Sequence, residues 1–289
     1  MLKRINWKAI LLGFTWLISL SSLVMLMSFI EGKKQKNTCK RVKITLSDDQ
    51  KYIEQSEINQ LLTKNKGPLI GKILNTLPIH TIKNTLKANP FVEQAKVYTD
   101  MDGTIWVELK QREPILRVIN IFNQDFYIDR NGLKMPISTV YTPYLLVANG
   151  YIMESFSGKV DTLRTQLAKD LFSTASFIEK DPLWKQQIEQ IYVNTYSELE
   201  LVPRVGDHKI ILGTTDSLET KFNHLLLFYK KALPKVGWST YKTINLKYAG
   251  QIVCEKATID SSDIKNNIAS PLTLSQSKSI SRDTVNKLK

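Results

Sequence analysis

With 289 residues, 43% of them hydrophobic and 9% aromatic, the chain can fill one large or two modest cores, which excludes a mostly disordered polymer. Its formal net charge of +13 first suggests nucleic acid, but residues 1–41 hold eight Lys and Arg against Glu31 alone. More than half of the excess therefore flanks one apolar segment, where cations meet lipid phosphates, and no nucleic-acid partner is expected.

That segment, Ala9 to Ile30, is 22 residues without a charge. As a helix it spans about 33 Å, enough for a hydrocarbon core of roughly 30 Å. Trp7 and Trp16 supply aromatic rings near its N-terminal end. A cleaved signal peptide would have a shorter apolar region followed by a small-x-small site. Ser28 to Lys34 offers no such site, so the reading is a lasting anchor in the bilayer. Residues 1–8 form a short stub placed in the cytoplasm, and residues 31–41 a basic linker on the far side. Cys39 and Cys254 lie far apart in sequence and suggest no disulfide framework.

Residues 42–112 read as a small α+β domain. Val42 to Leu46 alternates apolar and polar as a strand does. Ser56 is expected to cap a helix bearing Ile58, Leu61 and Leu62, which Gly67-Pro68 ends. A second helix follows Pro78, with Ile79, Ile82 and Leu86 on one face. It stops before Asn89-Pro90, because the residue before proline avoids helical angles. Two strands follow, one through Val92, Ala95 and Val97, the other through Ile105, Val107 and Leu109, joined at Asp102-Gly103. The order strand–helix–helix–strand–strand puts two helices on one face of a three-stranded sheet.

Residues 113–256 read as a mostly β domain with flanking helices. Strands are expected at Ile115–Asn120, Asp125–Asp129, Leu145–Ala148, Gln187–Val193, Leu199–Val205 and Lys209–Leu212, and a last one from Ile244 to Glu255. Helices are expected over Thr162–Glu179 and Leu218–Leu233; Phe222, Leu225, Leu226 and Tyr229 give the second its apolar face. From Ala257 the aromatics vanish, and a disordered tail is expected.

The three histidines, His80, His208 and His224, have no metal-ligand spacing and read as surface residues, so no metal and no cofactor is expected. No G-x-S-x-G elbow and no phosphate-binding glycine loop occurs. Asp129 and Glu113 could form an acid/base pair, but Asp129 sits at a hairpin turn and Glu113 precedes a proline.

Asn89-Pro90-Phe91-Val92, Asp102-Gly103-Thr104 and Gln111-Arg112-Glu113-Pro114 together resemble the POTRA domain of the bacterial division family FtsQ/DivIB. Phe126 to Gly132 looks like that family's Asp-x-x-Gly hairpin. The segment from Leu199 to Gly213 is similar to its hairpin closing in Leu-Gly. Asn245-Leu246-Lys247-Tyr248 is similar to its last strand, usually Asp-Leu-Arg-Tyr. Lys247 and Asn245 depart from that pattern.

The resemblance implies a non-catalytic scaffold in the inner membrane at the septum. It implies partners of the FtsB and FtsL kind, single-pass coiled-coil proteins, alongside other division proteins. It also implies strand addition at the C-terminal edge, with Lys247, Tyr248, Gln251 and Val253 as the contact residues. The rival readings are a POTRA-bearing transport or assembly factor, which would carry further repeats and a barrel, and a membrane-tethered cell-wall enzyme.

Overall fold

The computed structural model describes residues 7–34, 37–47, 52–64 and 67–257. The stub up to residue 6 and the tail from residue 258 lie outside these. Helix α1 (Trp7–Lys34) is long and apolar enough to cross a membrane, with its apolar window at Leu11–Ser28. It runs past Ile30, and Asn37 to Lys40 are already bonded into the first domain. The Cys39 amide donates to Lys72 O at 2.8 Å, and the buried Cys39 side chain joins the core. The basic linker expected over 31–41 is therefore much shorter.

The first domain follows the expected order. Strand β1 (Arg41–Leu46) is followed by α2 (Gln55–Thr63), α3 (Ile79–Lys87), β2 (Val92–Thr99) and β3 (Thr104–Gln111). β3 is central, antiparallel to β2 and parallel to β1. Ile105, Val107 and Leu109 point to one face and are buried with Ile58, Leu62, Ile82 and Leu86 of the helices. On the other face Lys43, Trp106 and Tyr98 lie side by side across the three strands. The Lys43 ammonium stands 4.3 Å from the centre of the Trp106 ring, and the Tyr98 ring is parallel to it within 7°. Ser56 does not cap α2. The helix starts two residues earlier than such a cap would set it, at Gln55 after Glu54, and the Ser56 hydroxyl donates to the Glu54 carboxylate at 2.9 Å.

The second domain is built on one ten-stranded mixed sheet. Its strands are β4 (Pro114–Ile119), β5 (Asp125–Asp129), β6 (Leu133–Pro136), β7 (Leu146–Gly150), β8 (Asp161–Thr162), β9 (Ile188–Val193), β10 (Leu199–Pro203), β11 (Lys209–Gly213), β12 (Tyr241–Asn245) and β13 (Val253–Lys256). They lie in the order β13-β12-β11-β10-β9-β7-β4-β5-β6-β8, with β4–β7, β7–β9 and β11–β12 parallel. Parallel neighbours need a crossover. Helices α4 (Gln166–Lys180) and α5 (Pro182–Gln187) connect β8 to β9; α6 (Leu218–Lys231) and α7 (Leu233–Val236) carry the chain from β11 to β12. Phe177, Trp184 and Phe222 interlock where α4, α5 and α6 meet, with ring centres 4.8 and 5.0 Å apart, and seal the core over the sheet.

The domains meet at a built junction. Arg112, at the end of the first, donates to Asp129 of the second at 2.8 Å, and Glu113 pairs with Arg130 at 2.9 Å. The other Asp129 oxygen accepts from the amides of Asn131 and Leu133. Both carboxylates weighed as an acid/base pair are thus committed to structure. Tyr52, fully buried, lies parallel to Phe91 of its own domain and edge-on to Tyr141 of the next; its carbonyl accepts from Ser138 Oγ at 3.3 Å.

Candidate functional site

The last strand expected over Ile244–Glu255 is two strands. Asn245 ends β12 by accepting the Lys247 amide on its side-chain oxygen at 2.9 Å. The chain then turns at Tyr248-Ala249-Gly250-Gln251, where Gly250 has φ +75° and the Gln251 amide reaches Tyr248 O at 3.4 Å. It returns as β13, antiparallel to β12, with Ile244 opposite Cys254 and Asn245 opposite Val253. Gly250 is the sequence signal that marks this break.

Among the described residues β13 has one strand neighbour, so its outer edge is unpaired. Of the four sequence-predicted contact residues only Val253 is on that strand, and it is 44% exposed. Lys247, Tyr248 and Gln251 sit in the connection at the end of the sheet. All three line a cleft of about 260 Å³, closed on its other side by Thr214, Thr220, Lys221 and His224. The Lys221 ammonium is held by the carbonyls of Leu212 and Thr214 at 2.9 and 2.8 Å. Burial pushes its pKa below the usual lysine range.

Lys247 is positioned by a glycine. Its stem lies over Gly213, at φ +74°, where an added Cβ would come within 2.7 Å of Lys247 Cγ. Its ammonium ion pairs with Glu198 in the β9–β10 turn. That contact and the Asn194 amide hold the Glu198 carboxyl below the ordinary range, while Glu198 raises Lys247. An incoming acidic group must therefore share or displace Glu198. Nothing in the sequence around Lys247 announces this pair, because Glu198 lies 49 positions away.

His208 corrects another expectation: it is only 2% exposed, with Nε2 at 2.8 Å from the Tyr229 hydroxyl. His224 is half-buried and His80 exposed. Cys39 and Cys254 are both free thiols. No group of three or more His, Cys, Asp or Glu among the described residues is arranged to hold a metal. A larger cleft, about 400 Å³, runs between Tyr144, α4, α5 and Arg204; no Ser, Thr, Cys, His or Asp lines it, and its Glu179 is paired with Lys185 at 2.6 Å.

Residues 37–110 match the family model for a POTRA-like domain, and residues 113–255 match the model described as FtsQ/DivIB, C-terminal related. Similar proteins include the cell division protein FtsQ of Rickettsia felis, 28% identical over 113 residues, covering 39% of this chain and 40% of that protein. The FtsQ of Rickettsia conorii is 29% identical over 122 residues, covering 42% of this chain and 43% of its own length. That of Rickettsia bellii is 28% identical over 113 residues, covering 39% of this chain and 40% of that protein. The chain thus matches well under half the length of these relatives.

Proposed function

Because the chain belongs to the FtsQ/DivIB family, with a POTRA-like domain ahead of the family's C-terminal domain, we propose that it is a non-catalytic scaffold of the bacterial division complex. It is anchored in the inner membrane by α1, with its N-terminus in the cytoplasm and both domains outside. The division proteins it recruits are of the FtsB and FtsL kind, and the contact is strand addition to β13. The observation that carries the reading is the outer edge of β13, the last strand of a ten-stranded sheet, which has no strand paired to it among the described residues. Such an edge offers unpaired N–H and C=O groups in a row, and alternating side chains such as Val253 select the partner. Lys247, Tyr248 and Gln251 flank the end of that edge, where an incoming strand would enter or leave.

The test is the double substitution Lys247→Glu with Tyr248→Ala in the full chain. Both residues are in an exposed connection, so thermal stability should stay put. Affinity for the extracytoplasmic segment of the FtsB-like partner should fall by about tenfold or more, and a fluorescent fusion should leave midcell. Unchanged affinity removes the hairpin from the interface.

A further inference from the structure

Residues 35 and 36 alone separate the end of α1 from Asn37, which is already bonded into the first domain. Three steps of about 3.8 Å between Cα atoms hold Asn37 within about 11 Å of Lys34. The charge-free run ends at Ile30. From there to Lys34 the helix rises about 6 Å, roughly one headgroup layer. An α1 seated across the bilayer therefore leaves this end of the domain against the headgroups. However the body tilts, a tether of that length cannot lift it clear.

Residues 37–40 run between two loops. On one side the Cys39 carbonyl accepts the Gly71 amide at 2.7 Å, and the Asn37 carbonyl accepts the Leu74 amide at 2.9 Å. On the other, Asn37 Nδ2 donates to Met101 O at 3.1 Å and the Lys40 amide to Gly103 O at 2.8 Å. Gly103 is required there, because at φ +95° an added Cβ would lie 2.7 Å from Thr38 O. The three segments span two strand spacings, about 10 Å, and form one end of the domain. Both loops hold apolar side chains out: Met101 is 80% exposed, Ile70 63% and Ile73 41%. The turn that carries Met101 is braced. Asp100 Oδ1 accepts the Met101 amide at 2.7 Å, and Asp102 accepts the Thr104 amide and pairs with Arg41, both at 2.8 Å. Around these tips, residues 31–41, 64–73 and 100–103 carry eight Lys and Arg against Glu31, Asp100 and Asp102. Apolar tips amid an excess of cations suit a phospholipid surface, where the first enter the acyl boundary and the second meet phosphates.

We propose that this end of the first domain is a second membrane contact. Met101 and Ile70 dip into the headgroup–acyl boundary of the leaflet from which α1 emerges, and the surrounding lysines meet lipid phosphates. The proposal rests on the reading that α1 spans the bilayer. Lysine is depleted at the centres of protein contacts, and the bilayer is already within reach of the tether, which favours lipid over a protein occupant. The contact removes the swing that the tether leaves, and so sets the height of the domain above the membrane.

The experiment reconstitutes the full chain in nanodiscs of phosphatidylethanolamine and phosphatidylglycerol that carry a lipid spin-labelled near its headgroup. In a Cys254→Ser background, where the remaining Cys39 is buried, a fluorophore is placed in turn on Met101→Cys, Ile70→Cys, Ser28→Cys and Ser47→Cys. Ser28 ends the apolar window of α1, and Ser47 lies just past the far end of β1, about 20 Å along the strand from Arg41. Met101, Ile70 and Ser47 are exposed, so melting temperatures should match the parent's. Labels at Met101 and Ile70 should be blue-shifted and quenched at least about threefold more than the label at Ser47. Replacing phosphatidylglycerol by phosphatidylcholine should weaken that quenching. If Ser28 is quenched while Met101 and Ile70 are quenched no more than Ser47, the inference falls and the anchor stands. If Ser28 is not quenched either, the anchor falls and the inference with it. A blue shift at Met101 without quenching assigns the surface to protein, and quenching indifferent to lipid charge removes the lysines from the contact; either result overturns the proposal.

Discussion

At the scale of single residues the sharpest constraints are backbone ones. Gly150 closes β7 at φ +100°, and an added Cβ would sit 2.2 Å from Val193 O, which as backbone cannot swing away. Gly150→Ala should therefore cost on the order of 3 kcal/mol in chemical denaturation, well above an ordinary surface change. His208 makes the protein sensitive to acid. Burial lowers its pKa from the usual 6.5, only partly opposed by Trp238 and Asp207. Below about 6.5 the unfolded chain takes up a proton that the native site resists, so stability present at neutral pH is lost as pH falls towards the folded value. His208→Gln should flatten the pH dependence of the melting temperature between pH 7 and about pH 5. Nothing local in Gly206-Asp207-His208 announces burial. It comes from Tyr229 on α6 and Trp238 after α7, whose rings close over the imidazole.

At the scale of elements, a buried ion pair ties the loop after β7 to the far side of the sheet. Lys134 on β6 and Glu154 are each about 1% exposed in their side chains and 2.5 Å apart; Glu154 also accepts the Arg164 and Thr165 amides and the Thr165 hydroxyl ahead of α4. Burial pulls the Glu154 carboxyl upward, but Lys134 and Thr165 outweigh it and the pKa ends below the ordinary value. Glu154→Ala, which leaves the Lys134 charge with only the more distant Asp161 carboxylate at 3.9 Å, should cost about 3–5 kcal/mol, and pairing it with Lys134→Met should recover much of that loss. Denaturation of the single and double variants measures both. Sequence periodicity located β3, α3, α4 and α6 because each buries a regular face. It missed β6, β8 and α5, which are too short to show a period. α5 was still signalled by Asp181-Pro182, the capping oxygen and fixed φ of a helix start. The hairpin at the candidate site was read as one strand because apolar Ile244, Leu246, Ile252 and Val253 bracket the break, although Leu246 is in the core and Val253 at the edge.

At the scale of the whole molecule, recruitment at β13 requires the two domains to act as one body between α1 and β13. Tyr52 with Phe91, Tyr141 and Ser138, and Arg112 with Asp129, make that junction. A single calorimetric transition is expected for the parent chain, and Tyr52→Ala should split or broaden it, because truncating a buried aromatic removes about 3–5 kcal/mol. The domain order was legible from the sequence, since each domain carries its own hydrophobic pattern. The junction was not, because it is made by residues such as Tyr52 and Ser138 that meet only in the folded chain. The central claim is that the outer edge of β13 receives a partner strand. Hydrogen exchange on the full chain, with and without a saturating extracytoplasmic segment of the FtsB-like partner, tests it most directly. Amides within Val253–Lys256 should exchange at least about tenfold more slowly in the complex, while those of the interior β11 stay as they were. A saturated complex in which Val253–Lys256 exchange at the free rate would contradict the account.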